Sequence, residues 1–166
     1  MNHNHIGSNF DDFLAEEGML EEVSLKAHKR LLTLQIAEIT ARDGTPVRLI
    51  YDEETDILEI FFGENGTATG VELTENMILR LDRQTQRAFS LTLLHFSVLS
   101  DHTEYGPRSF PLNKLERLPQ DLKELVLRLI TSLPVSQFLK LSQFQASPVK
   151  RLPVAYVEAQ PFVGSA

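Results

Sequence analysis

The chain has 166 residues, 42% hydrophobic and 23% charged, a formal net charge of −7 and no cysteine. Such a composition belongs to a globular protein, and without thiols there is no disulfide scaffold, Cys-ligated metal or thiol nucleophile. Net negative charge opposes approach to nucleic acid, whose affinity comes largely from neutralised phosphates, and no apolar run nears the roughly 20 residues of a membrane span.

Met1 to Ser8 lacks the basic-then-apolar pattern of a secretory signal, so a cytoplasmic protein is expected, binding neither nucleic acid nor membrane. Ser8-Asn9-Phe10-Asp11 fits a capping box, with Asp11 and Asp12 in a first turn where the helix dipole favours negative charge. Phe10, Phe13 and Leu14 make one apolar stripe, and Gly18 is a natural stop. Leu20, Val23, Ala27, Leu31, Leu34 and Ala37 then repeat at spacings of three and four, predicting a second helix to about residue 41 closed by Asp43-Gly44. Leu32, Leu34 and Ile36 also alternate as a strand would, so residues 32–41 could instead pair with a sheet. Phe10, Phe13, Leu14, Leu20, Val23 and Leu31 are the candidate partner-binding residues of this arm, for another protein or a second copy.

Residues 5–39 of this arm, from His5-Ile6-Gly7-Ser8 to Gln35-Ile36-Ala37, resemble the segment that precedes the helix-turn-helix of some bacterial antitoxin-type repressors. The resemblance implies a partner-binding or dimerising arm. No helix-turn-helix follows here, because Ala41 to Pro46 leads straight into strand-like sequence.

The middle predicts an antiparallel meander of four consecutively connected strands. Val47 to Tyr51 alternates, Asp52-Glu53-Glu54-Thr55-Asp56 makes an acidic turn, and Leu58, Ile60 and Phe62 share one face of the next strand. Gly63 to Gly66 is a turn signal. Val71-Glu72-Leu73 begins a further strand in which Met77, Leu79 and Leu81 face the core. After the turn Arg83 to Gln86, residues 87–98 form the last strand.

Two pieces here, Tyr51 to Leu58 and Val71 to Ile78, followed by Asp82, resemble a bacterial family catalogued as domain of unknown function 2283, over about residues 47–95. The resemblance implies a small antiparallel sheet and brings no catalytic residues. Tyr51, Asp52, Asp56, Leu58, Glu72, Leu73, Glu75, Asn76 and Asp82 carry it. This chain departs from the family pattern at Glu59 and along Phe89 to Leu94.

In the last third, Pro119 suits a first helical turn. Leu118, Leu122, Leu125 and Leu129 form an apolar stripe widened by Val126, Ile130 and Leu133, and Pro134 stops it. Residues 138–145 and 152–157 read as two edge strands, Pro153 arguing against a central place for the second. No internal repeat is read in the sequence. The expected fold is α+β: N-terminal helices (1–43), a four-stranded antiparallel meander (44–100), then an amphipathic helix and extended segments packing on it (101–166).

Charge is uneven: residues 44–105 hold four Lys/Arg against eleven Asp/Glu, and residues 106–166 eight against four. The acidic turn could chelate a hard cation but lacks EF-hand spacing. Glu59 and Glu72 could form a carboxylate pair across neighbouring strands. His95, His102, Glu104 and Tyr105, or Ser97, Ser100 and Asp101 beside His102, could be imagined as a site, though no phosphate loop, nucleophile elbow or zinc motif occurs. The reading is therefore a non-catalytic interaction or regulatory protein with no cofactor and no bound metal, possessing a protein partner or forming a homo-oligomer. The rival is a small hydrolase or metal-dependent enzyme using the acidic turn with His95 or His102.

Overall fold

Strand-forming residues alternate with polar ones along most of the chain, and the structure, a computed structural model, turns that alternation into sheets. It describes residues 34–158, so the expected N-terminal helices and the docking stripe Phe10, Phe13, Leu14, Leu20, Val23 and Leu31 lie outside the described residues. The chain divides into two units, Met1–Leu34 and Gln35–Ala166, and the described elements form the second, with Leu34 at the junction.

Six strands make the main antiparallel sheet: β1 (Leu34–Thr40), β2 (Pro46–Asp52), β3 (Ile57–Phe62), β4 (Thr69–Thr74), β5 (Met77–Asp82) and β6 (Arg87–Leu94). Their spatial order is β1-β2-β3-β6-β5-β4. The rest comprises a short helix α1 (Phe96–Leu99), strands β7 (His102–Thr103), β8 (Gly106–Pro107) and β9 (Phe110–Pro111), helix α2 (Gln120–Thr131), and strands β10 (Leu139–Ser147) and β11 (Lys150–Val157). Strands β10, β11 and β9 form a second sheet and β7 with β8 a third.

The expected fold class is thereby corrected. Among the described residues the chain is mostly β, with eleven strands in three sheets and two α-helices, rather than helices flanking a four-stranded meander. Residues 34–40 are a strand, not the end of a helix. Asp43-Gly44 is the turn of a hairpin, with Gly44 at φ 87° and Ala41 N–H donating to the Thr45 carbonyl at 2.8 Å. The helical spacing of Leu31, Leu34 and Ala37 competes there with alternation, and pairing with β2 decides for the strand.

Residues 71–82 are two strands, because Glu75-Asn76 turns the chain, the Thr74 hydroxyl accepting the Asn76 N–H at 3.0 Å. Strand connection is not consecutive either: after β3 the chain crosses to the far edge of the sheet and returns, so that β6 pairs with β3. The last meander strand ends at Leu94, since His95 takes a left-handed φ of 55° and opens α1. Strand β11 is central between β10 and β9 despite Pro153. That proline is tolerated because the β9 side engages only its carbonyl, which accepts the Leu112 N–H at 2.9 Å.

The pairing also reveals an internal repeat that sequence alone did not. Strands β1-β2-β3 and β4-β5-β6 are two three-stranded meanders joined through their third strands. Tyr51-Asp52-Glu53-Glu54-Thr55-Asp56-Ile57 corresponds to Leu81-Asp82-Arg83-Gln84-Thr85-Gln86-Arg87. The pairs Asp52–Ile57 and Asp82–Arg87 close the two loops identically. Inner-facing Ile60 and Leu91 are equivalent and pair with each other, as an approximate two-fold axis between them demands. A one-residue bulge at Phe89 in β6 offsets the second copy and hides the repeat in a linear reading.

One face of the six-stranded sheet carries Leu49, Leu58, Ile60, Leu79, Leu91 and Leu93, all fully buried. These join Leu122, Leu125, Val126 and Ile130 of α2 and Leu139, Ala155 and Val157 of the second sheet in one hydrophobic cluster. Of the stripe read from the sequence, Leu122, Leu125, Val126 and Ile130 are buried, Leu118 and Leu129 are half-buried and Leu133 is exposed.

Candidate functional site

The Asp56 carboxylate ties together the loop and the segment after β6 by three hydrogen bonds. Asp56 closes the β2–β3 loop in a left-handed conformation at φ 55°, which Asp tolerates better than most residues. Its Oδ1 accepts the Tyr51 hydroxyl at 2.9 Å and the Ser97 N–H at 2.9 Å. Its Oδ2 accepts the Ser97 hydroxyl at 2.6 Å, and its carbonyl accepts the Phe96 N–H at 3.0 Å. Phe96 is fully buried and meets Tyr51 edge-on, ring centroids 5.3 Å apart. One side chain thus fastens the loop to α1.

Burial alone would raise the Asp56 pKa. The two hydrogen bonds from Ser97, the one from Tyr51 and the field of His95 outweigh burial and hold it below the usual Asp value. Tyr51 is pushed up to about 12, by burial first and then by donating to Asp56 and facing the charges of Asp56, Glu53 and Asp52. At neutral pH the carboxylate is ionised and the phenol protonated, which is the pairing that the hydrogen bonds require.

The other residues of the family-like motif lie around this cluster and along the sheet. Asp52 is buried at the loop, its Oδ1 accepting the Glu54 N–H at 3.1 Å. Leu58 and Leu73 are fully buried in the core, Glu75 is exposed, and the Asn76 carbonyl accepts the Leu94 N–H at 2.8 Å. Glu72, on the edge strand β4, accepts a hydrogen bond from Lys114, whose bond and charge lower its pKa. Asp82 sits in the second hairpin, its pKa lowered by the Thr85 hydroxyl and the Gln84 N–H.

The Glu59–Glu72 pair that the sequence left conceivable is not formed. β6 and β5 separate their strands, so the two side chains start about 14 Å apart at ordinary strand spacing. His95 is exposed beside Asp56, while His102 Nδ1 lies 3.1 Å from the Ser100 carbonyl. Asp101 pairs with Arg108 at 3.1 Å, and Tyr105 is exposed. Among the described residues no three His, Asp or Glu side chains converge as a metal centre.

Sequence reasoning missed two further features. An open groove of about 740 Å³ is lined by Phe62, Phe89, Leu129 and Pro134 together with Glu64 and Arg87. Exposed apolar side chains also gather on strand edges: Ile36 and Ile39 on β1, Phe144 on β10 and Val149 at the β10–β11 tip. The alternation of β10 foretold a strand, but nothing local foretold that its outer half would project from the core.

No protein-family model, curated protein or solved structure matches the chain.

Proposed function

We propose that this chain is a cytoplasmic, non-catalytic protein-interaction or regulatory protein, related to the domain of unknown function 2283 family and carrying an antitoxin-like arm. One observation supports the reading most: of the seven large apolar or aromatic side chains left exposed among the described residues, Ile36, Ile39 and Phe144 lie on edge strands, where unpaired backbone groups invite another chain. Ile36 is 55% and Phe144 58% exposed, each on the outermost strand of its sheet among the described residues. The Asp56 cluster serves the fold, its carboxylate being spent on Ser97 and Tyr51. Among the described residues no helix is long and apolar enough to cross a membrane.

The test is capture of partners from the native cell with the full chain, a chain lacking residues 1–33, and an Ile36→Ser/Phe144→Ser variant. A cut after residue 43 would also remove β1, an edge strand of the main sheet, so the shorter deletion is the cleaner one. A specific protein recovered by the full chain and lost with one variant carries the reading. Recovery of the chain alone, monomeric by light scattering, overturns it. A melting temperature raised by millimolar Mg, Mn, Zn or Ca would favour the metal-dependent rival, since a ligand of the folded state stabilises it.

A further inference from the structure

The β10–β11 hairpin differs chemically from the rest of the molecule. Strand β9 pairs with β11 at Val154 and Ala155, and the Leu112 N–H that follows it donates to the Pro153 carbonyl at 2.9 Å, so beyond Pro153 the hairpin has two strands and no third strand pairs with it among the described residues. Leu139, Ala155 and Val157 bury one face of its base in the core. On the opposite face, alternation places Phe144 directly across from Leu152, with Val154 and Tyr156 following on β11. Lys140 and Lys150 stand at the two ends of this stripe.

From Leu139 to Val157 the hairpin holds Lys140, Lys150 and Arg151 and no acidic residue, in a chain of net charge −7. Lys140 reaches Glu158 at 3.1 Å, and no ion pair engages Lys150 or Arg151 among the described residues. Edge strands are commonly blunted by Lys, Pro or inward charges. From Leu141 to Ser147 the outer strand β10 carries none of these.

Resting on the interaction reading above, we infer that β10 takes up an acidic extended segment of another protein as an added strand. Main-chain pairing at an open edge supplies affinity, and side chains set the choice of partner. Apolar residues of the added strand lie beside Phe144, and its carboxylates face the Lys150–Arg151 tip, Lys140 at the other end being paired with Glu158. A second copy pairing β10 with β10 is disfavoured, because the hairpin with Glu158 still carries a net charge of +2 in each copy.

The probe is a labelled, end-capped octapeptide of alternating Glu and Val, with a Lys–Val octapeptide and an alternately N-methylated Glu–Val octapeptide as comparisons, each titrated by anisotropy into the full chain. The Glu–Val peptide is expected to bind at least about tenfold tighter than Lys–Val, with affinity falling as salt rises. N-methylation should abolish binding, and Lys150→Glu/Arg151→Glu should weaken it about tenfold without moving the melting temperature, both side chains being exposed.

Equal binding of the acidic and basic peptides, binding indifferent to N-methylation, or none at about 1 mM overturns the inference. So does a doubled mass in light scattering that falls to the single mass in Lys150→Glu/Arg151→Glu. If the charge-reversed variant still captures the native partner while the peptide fails, this inference falls and the interaction reading stands.

Discussion

The β2–β3 and β5–β6 hairpins share one backbone solution and use it differently. Each loop opens on an aspartate whose Oδ1 accepts an N–H two residues on, Glu54 at 3.1 Å and Gln84 at 2.8 Å. Each ends on a residue at φ 55°, Asp56 or Gln86. In the first, the left-handed residue is a half-buried carboxylate fastened to Ser97 and Tyr51. In the second it is an exposed amide whose Oε1 accepts the Arg128 guanidinium at 2.7 Å. Tyr51 is replaced by fully buried Leu81, which has no hydroxyl to offer. The loop geometry depends on the opening aspartate and the strand pairing, leaving the left-handed side chain free to act as a connector. How much each connector stabilises then depends on burial and charge.

Glycine at each left-handed position breaks the comparison most strongly, because it keeps the backbone and removes the connector. Asp56→Gly forfeits three hydrogen bonds to a partly shielded carboxylate, an expected loss of about 2–3 kcal/mol, or roughly 5–10 °C in melting temperature. Gln86→Gly loses one exposed hydrogen bond and is relieved of a left-handed non-glycine residue, so it should stay within about 0.5 kcal/mol of the wild type. Equal losses in thermal melts would sink the idea that the two loops differ in their connectors.

The same contrast has a pH signature. The Asp56 pKa is lower in the folded chain than the ordinary value of 3.8, so its contribution is fully present above that value. It is lost as pH falls through the folded pKa. The stability gap between wild type and Asp56→Asn should therefore be constant from pH 5 to 8 and close below about pH 4. A gap that persists undiminished under acid would assign the effect to shape rather than charge.

Legibility of this molecule from its sequence follows the range of the interactions. The α2 stripe, the strands at 47–51 and 57–62 and the turn at Asp52–Asp56 were readable, because periodicity and turn chemistry act within a few residues. The helix assigned to residues 34–41 failed where two periodicities coexisted and only pairing with β2 could choose between them. The crossing from β3 to β4 and the repeat were invisible, since strand order is decided between segments and the bulge at Phe89 shifts the second copy by one residue. The acidic turn was noticed for its charge, but its working contact is with Ser97, 41 residues further on. The recurrence of Asp-x-x-Thr at 52–55 and 82–85 is a local trace of the repeat, but two identities in seven residues do not announce it and do not point to Ser97.

Removing only the tyrosine hydroxyl sharpens the comparison, since it converts one feature of the first hairpin to the state of the second. Tyr51→Phe leaves the Ser97 bonds to Asp56 in place and should cost about 1 kcal/mol. Tyr51 should ionise near pH 12. Its folded pKa lies above 10, so its contribution is present below pH 10 and lost as pH rises through about 12. Tyrosinate absorbance should accordingly lose that step in the variant. Identical absorbance curves for wild type and variant near pH 12 would place Tyr51 in water instead.

The smallest effect belongs to the second hairpin's ion pair. Arg83 replaces Glu53 of the first loop and reaches Asp121, in the first turn of α2, at 2.7 Å. Both side chains are at least half exposed, so water and salt screen the attraction and ordering two long groups offsets much of it. Asp121→Asn also keeps a polar group near the helix N-terminus while removing a charge that the dipole favours. The two losses together should stay below about 1 kcal/mol and shrink further in half-molar salt. A larger, salt-independent loss would mean that the second loop is held by a buried contact like the first, and the distinction between a buried carboxylate connector and an exposed one would no longer describe the two hairpins.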